Sequence, residues 1–178
     1  TGAVGGSAVL GATAITASTT TNSSTWVGNS ALGITGNAVI NGAISGITTL
    51  SVSGTSSIAA NITSSSNQAY TGAVTITGSA VTLNSGTAGT VLFSSTVNSA
   101  ATAGNPLTVS AGSGNVTFTG AVGGATNGAL GALTVNTTGT TTFSSTVNAS
   151  SLTTNTGGTT SLGGNVTTSG ALTLNDAV

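Results

Sequence analysis

The chain has no Lys, Arg, His, Cys or Met, and Asp176 is the single charged side chain among its 178 residues. Each absence closes a class of chemistry. Without Lys or Arg nothing can neutralise phosphate, which excludes nucleic acid as a partner. Polybasic attraction to anionic lipid is removed with it. Without Cys there is neither a disulfide staple nor a thiolate site. General acid–base work needs a pair of titratable groups, and a hydroxyl nucleophile needs an adjacent base. Calcium needs several carboxylates, and transition metals need His, Cys or carboxylate clusters. Asp176 alone meets none of these needs, so the chain is read as non-enzymatic, with no catalytic residue, no metal site and no cofactor. Gly5-Gly6 and Gly123-Gly124 are turn glycines with no phosphate-binding Lys after them. No apolar run reaches the ~18 residues of a membrane span. The basic n-region of a signal peptide is also missing, so a mature or excised segment is expected.

What remains is Thr, Ser, Gly, Ala and Asn around small aliphatics. Hydrophobic residues make up 37% and charged residues 1% of the chain, against a usual charged share of about 25%. Disordered chains combine low hydrophobicity with high charge and many Pro residues. Here Pro106 is the single Pro and charge is nearly nil, so packing is favoured. Thr and Val suit strands through their branched side chains. A net charge of −1 leaves little repulsion between copies. The lack of Lys and Arg also leaves trypsin-like proteases no site. Both features point to a secreted protein, extracellular or at the cell surface, whose partners are copies of itself and, as a second candidate, surface glycans.

Internal repeats are the strongest signal. Phe-Ser-Ser-Thr-Val-Asn occurs at 93–98 and at 143–148, with Phe118-Thr-Gly-Ala-Val122 midway. Phe93, Phe118 and Phe143 are spaced by 25, and Val97, Val122 and Val147 follow each by four. Leu162 and Val166 continue the series. A second motif reads Leu or Val, then Thr, then usually an apolar residue, then Asn or Ser. It starts at Val81, Leu107, Leu133, Leu152 and Leu172, with spacings of 26, 26, 19 and 20. The N-terminal third is less regular, but Leu32 with Leu50, Ile40 with Ile58, and Ile44 with Ile62 share an offset of 18. A longer register places 57–74 on 161–178, and Thr1 to Gly6 recurs as Thr119 to Gly124. The chain is therefore expected to form one repeat-built unit over 1–178, loose over 1–69 and clear over 70–178, continuing into a longer polypeptide or an assembly.

Polarity alternates with period two inside each motif, as in strands and not helices. Gly-, Asn- and Ser-rich stretches divide the strands and supply turn positions. The expected fold is all-β, a parallel β-helix (β-solenoid) with coils of about 19–26 residues, since one coil cannot bury its apolar face alone. Roughly 7–9 coils would give a rod of about 35–45 Å at the inter-strand spacing. An antiparallel sandwich or donor-strand filament also has short strands, but does not require like residues every 25 positions.

The units Thr-Phe-Ser-Ser-Thr-Val-Asn-Ala-Ser-Ser-Leu-Thr-Thr-Asn and Gly-Asn-Val-Thr-Phe-Thr-Gly-Ala-Val-Gly-Gly resemble the repeat regions of large secreted bacterial β-helix proteins of the filamentous-haemagglutinin and autotransporter-passenger type. The resemblance covers 70–178 well and 1–69 loosely. It implies a structural or adhesive role in an extracellular filament, sheath or stalk. The other reading is a glycan- or ice-binding solenoid module.

The three Phe residues are expected to stack inside successive coils, with the Val series as a second ladder. Tyr70 aligns with Leu174 and is read as core; Trp26 has no repeat partner and is a candidate contact residue. Asn84, Asn98, Asn136, Asn148, Asn155 and Asn175 follow strands and suit turn and ladder chemistry. Sequons at Asn22, Asn61, Asn115, Asn136, Asn148 and Asn165 are N-glycan acceptors if the source organism glycosylates. Thr-x-Thr pairs at 75–77, 117–119 and 140–142 would order water only as a long, strict array, and their variable spacing argues against one.

Overall fold

The computed structural model describes residues 11–178 except Ala101 and Ala103; the Thr1–Gly6 recurrence therefore lies outside the described residues. Twenty strands and no helix occur among them. Every pairing between strands is parallel. The chain climbs as a β-solenoid, and like residues sit on like.

Each coil has three faces. The first face stacks Thr13, Leu32, Leu50, Gln68, Val91, Val116, Thr141 and Thr160 as equivalent rungs, which makes eight coils. The second face stacks Ile40, Ile58, Ile76 and Ser99, then Val122, Val147 and Val166 at its inner edge. The third stacks Ile44, Ile62, Leu83, Val109, Val135, Thr154 and Leu174. Leu32–Ile40 runs from the first face onto the second without a break, and Val147–Thr154 from the second onto the third. Three faces are thereby joined into two sheets, one of 11 strands and one of 9.

Coil length follows the rungs. Leu32, Leu50 and Gln68 succeed one another at an offset of 18. The offset widens to 23 from Gln68 to Val91 and to 25 from Val91 to Val116 and Thr141. It returns to 19 from Thr141 to Thr160. The N-terminal coils thus fall just below the expected range. The first-to-second corner is constant: Tyr70 to Val74, Phe93 to Val97, Phe118 to Val122 and Phe143 to Val147 are each offset by four. Successive coils approach closely there. A Cβ on Gly120 would lie 2.5 Å from the Ser95 carbonyl carbon, so glycine is required where that backbone passes. Extra residues enter at the other two corners.

Burial alternates along the strands with the pleat, as in Val91–Phe93 and Val116–Phe118. The core is one continuous cluster of Ile, Leu, Val and rings. Its axis is a stack of four: Tyr70 on Phe93 at 5.3 Å, Phe93 on Phe118 at 4.8 Å, and Phe118 on Phe143 at 4.9 Å between centroids. Thr141 occupies the inner column after Val91 and Val116, and its hydroxyl is buried without a partner.

Phe118→Ala is expected to lower unfolding free energy by about 3–5 kcal/mol, from lost burial and the cavity left in the stack. Leu92→Ala, on the outward side of the preceding coil, should change it by less than about 0.5 kcal/mol. Chemical denaturation followed by circular dichroism compares the two; equal effects would reject the inward ladder. By the same assay Thr141→Val should stabilise by about 1 kcal/mol, because an unpaired buried hydroxyl is removed at constant shape.

Candidate functional site

The residues singled out in the sequence divide between the interior and the outward columns. Phe93, Phe118 and Phe143 form the inner column of the first face, all buried. Val97, Val122 and Val147 form the adjoining column, extended by Val166. Tyr70 heads the ring stack. It pairs with Phe93 on the first face, whereas Leu174 lies on the third. The alignment of 57–74 on 161–178 is thus offset by one face: it matches corners of similar shape, not rungs. Trp26 stacks on Ile44 in the inner column of the third face and packs half-buried against the core, so it presents no outward platform.

A polar cluster closes the N-terminal end of the ring stack. The Tyr70 hydroxyl donates to Gln68 Oε1 at 2.9 Å. Gln68 Nε2 donates to Ser64 Oγ at 3.0 Å and to the Asn84 carbonyl at 2.8 Å. Gln68 and Tyr70 are both 0% exposed. Burial raises the phenol pKa far above its ordinary value of 10.0, because the charged form would lose its hydration. Asp176 serves a corner near the other end. Its Oδ1 accepts from the Gly158 N–H and its Oδ2 from the Thr160 hydroxyl, both at 3.0 Å. Both clusters tie one coil to the next.

Asparagine does the same between coils. The Oδ1 atoms of Asn61, Asn67 and Asn115 accept the backbone N–H of Thr82, Thr90 and Thr140 in the following coil, at 2.8–2.9 Å. Of the six asparagines expected in this role, Asn84, Asn98, Asn155 and Asn175 hydrogen-bond to backbone. Asn136 and Asn148 point outward from their strands, and their side chains bond to no other described residue. Among the sequons, Asn61 and Asn115 are engaged as above, and Asn22 Nδ2 donates to the Gly42 carbonyl at 2.8 Å. Asn148 and Asn165 are exposed, and their amides bond to no other described residue.

The Thr-x-Thr pairs do not stack as pairs. Thr117 lies beside Thr142, Thr140 falls one coil beyond Asn115, and Thr75 is on another face. A different array does form. On the third face the outward residues Thr82, Thr108, Thr134, Thr153 and Thr173 are in register over five coils. A cavity of about 240 Å³ near the N-terminal coils is lined by Ile15, Trp26, Leu32, Ile34, Ile40 and Ile44, with Thr and Ser at its rim. Its described lining contains no titratable side chain.

No helix among the described residues is long and apolar enough to cross a membrane. Comparison with protein-family models, with curated proteins and with solved structures finds no match.

The phenol stays protonated in the fold, whereas the unfolded chain releases that proton above a pH of about 10. The unfolded state then binds fewer protons, so stability is full below that pH and falls as pH rises past it. Unfolding free energy should drop by up to about 1.4 kcal/mol per pH unit in that range. Tyr70→Phe should abolish this slope and cost about 1–3 kcal/mol near neutrality by leaving Gln68 Oε1 unpaired. Denaturant titrations at several alkaline pH values measure both; an unchanged slope in the variant would assign it elsewhere.

Proposed function

We propose that the chain is a rod segment of an extracellular filament, sheath or cell-surface stalk, with a mechanical and adhesive role and self-association through its sheets. The observation that carries this reading is the unbroken third-face column from Ile44 to Leu174, which crosses seven coils with a backbone ladder at every step. A shaft of this kind resists extension because its coils are held by parallel hydrogen bonds and a continuous core. The sequence adds support. A net charge of −1 leaves little repulsion between copies, and end rungs of a parallel sheet offer unpaired N–H and C=O groups to another chain. The repeat units also resemble those of secreted bacterial β-helix adhesins. One carboxylate and no base favour a structural role over catalysis.

Purified protein is expected to form elongated assemblies as concentration rises in sedimentation analysis, and to resist proteinase K. Oriented assemblies should diffract with a meridional repeat of about 4.8 Å. A chain that stays monomeric and is digested at the rate of an unfolded polypeptide would overturn the proposal.

A further inference from the structure

The wide coils place their extra residues in corners, and one of these corners carries a reactive sequence. An asparagine followed by glycine can cyclise: the glycine nitrogen attacks the asparagine Cγ, and glycine has no Cβ to hinder the approach. The chain contains this pair twice, at Asn41-Gly42 and at Asn127-Gly128. Their intrinsic chemistry is the same, so a difference between them comes from the fold. Asn41-Gly42 is built into the stack. The Asn41 and Gly42 N–H groups both donate to the Asn22 carbonyl of the preceding coil, at 2.8 and 3.0 Å. The Gly42 carbonyl accepts from Asn22 Nδ2 at 2.8 Å. A Cβ on Gly42 would lie 2.0 Å from the Ser24 carbonyl oxygen, so the neighbouring backbone is pressed against it. The nucleophilic nitrogen is held by another coil and has no room to turn.

Asn127-Gly128 sits in the corner between the second and third faces. Gly124 to Asn127 are exposed, and Asn127 has a φ of 57°, a turn conformation that asparagine tolerates. Its side chain bonds to no other described residue. The Gly128 nitrogen makes its bond inside its own turn, to the Ala125 carbonyl at 2.9 Å. Other segments are held by carbonyls instead: Asn127 accepts from the Thr102 N–H and Gly128 from the Ser99 N–H, both at 2.9 Å. A Cβ on Gly128 would meet the Ala125 methyl of the same turn at 2.9 Å. The nitrogen is therefore freed by opening one exposed turn, with at most the Thr102 bond lost beside it. Surface turns lie at the low end of local opening free energies, whereas packed rungs open with the stack.

We propose that Asn127 is a site of spontaneous deamidation and that the stack protects Asn41 from it. The Gly128 nitrogen gives its proton to hydroxide and bonds to Asn127 Cγ. The Cγ–Nδ2 bond breaks, and Nδ2 leaves as ammonia with a proton from water. Water then opens the five-membered imide at either carbonyl, which gives aspartate or isoaspartate. One water enters and one ammonia leaves. Either product adds a carboxylate and doubles the net charge of −1, in a chain whose copies otherwise repel one another little. The extra backbone atom of isoaspartate falls in a corner, where coil length already varies, and not on a face that carries the ladder. This inference is independent of the filament reading and stands or fails without it.

The test holds the whole folded chain at mildly alkaline pH, with a second sample in concentrated denaturant as the unfolded reference. Samples taken over time are denatured, digested with a broad-specificity protease and read by mass spectrometry for replacement of NH2 by OH at each asparagine. Asn127 is expected to react in the folded chain within about threefold of its unfolded rate, because only a surface turn opens. Asn41 should be slower than its unfolded rate by more than about tenfold, because cross-coil hydrogen bonds open first. Asn127→Ser should remove the major product of the folded chain and keep its circular dichroism spectrum. Gly128→Ala should slow reaction at Asn127 and leave Asn41 unchanged; should its methyl disturb the turn, Asn127→Ser alone decides. Equal folded rates at the two pairs, or product at Asn41 ahead of Asn127, would overturn the proposal. So would a folded chain in which Asn127 stays intact while the unfolded chain converts it.

Discussion

The structure depends on the parallel backbone ladder between coils. Each rung donates N–H groups to carbonyls one coil away, as from Val91 to Asn115, Val97 to Ala121 and Ser144 to Phe118. Because the ladder fixes each residue about 4.8 Å from its equivalent, shape must match vertically. A ring therefore stacks on a ring, a Val on a Val and a Thr on a Thr. The same rule explains why Asn recurs at corners: its amide oxygen reaches a corner N–H of the neighbouring coil that the ladder leaves over, as Asn115 does for Thr140. In a chain with almost no charge, these neutral bonds supply the specificity that ion pairs give elsewhere.

The ladder constrains faces, not corners, and this governs how much was legible in the sequence. The Phe and Val series with their spacing of 25, and the motif starting at Val81, were legible because they lie on faces. Their spacings are the rung pairings Phe93 to Phe118 to Phe143 and Val81 to Leu107 to Leu133 to Leu152 to Leu172. The offset of 18 joining Leu32 to Leu50 and Ile44 to Ile62 was legible for the same reason. Tyr70 was not legible as the fourth ring, because it precedes Phe93 by 23 and breaks the period of 25. The corner from Tyr70 to Val74 carried the missing signal, since it copies the one from Phe93 to Val97. Which Asn residues bond between coils was not legible. That depends on whether a backbone group of a neighbouring segment comes within reach of the amide, and Asn136 and Asn61 look alike until the coil is closed.

The Thr column shows the same limit from another side. Its members are the second residues of a motif already visible in the sequence. Spacings of 26, 26, 19 and 20 looked irregular because loop residues were counted with strand residues. Once the ladder assigns the extra residues to corners, the face is more regular than the sequence that encodes it.

Coil width is the remaining variable, and on the first face the ring stack spans the wide coils. The narrow coils, where rungs are offset by 18, enclose only aliphatic side chains at the inner first-face column, Ile34 and Val52. The rings begin where the offset widens to 23 and 25, and end where it narrows to 19 and Leu162 succeeds Phe143. Polar side chains enter the interior at both transitions. At the first, Gln68 donates to the Asn84 carbonyl and accepts from Tyr70, so the topmost ring carries the hydroxyl that this site needs. At the second, Asp176 takes up the Gly158 N–H and the Thr160 hydroxyl. The single Tyr and the single carboxylate of the chain thus occupy the two places where stacking like on like cannot satisfy every group.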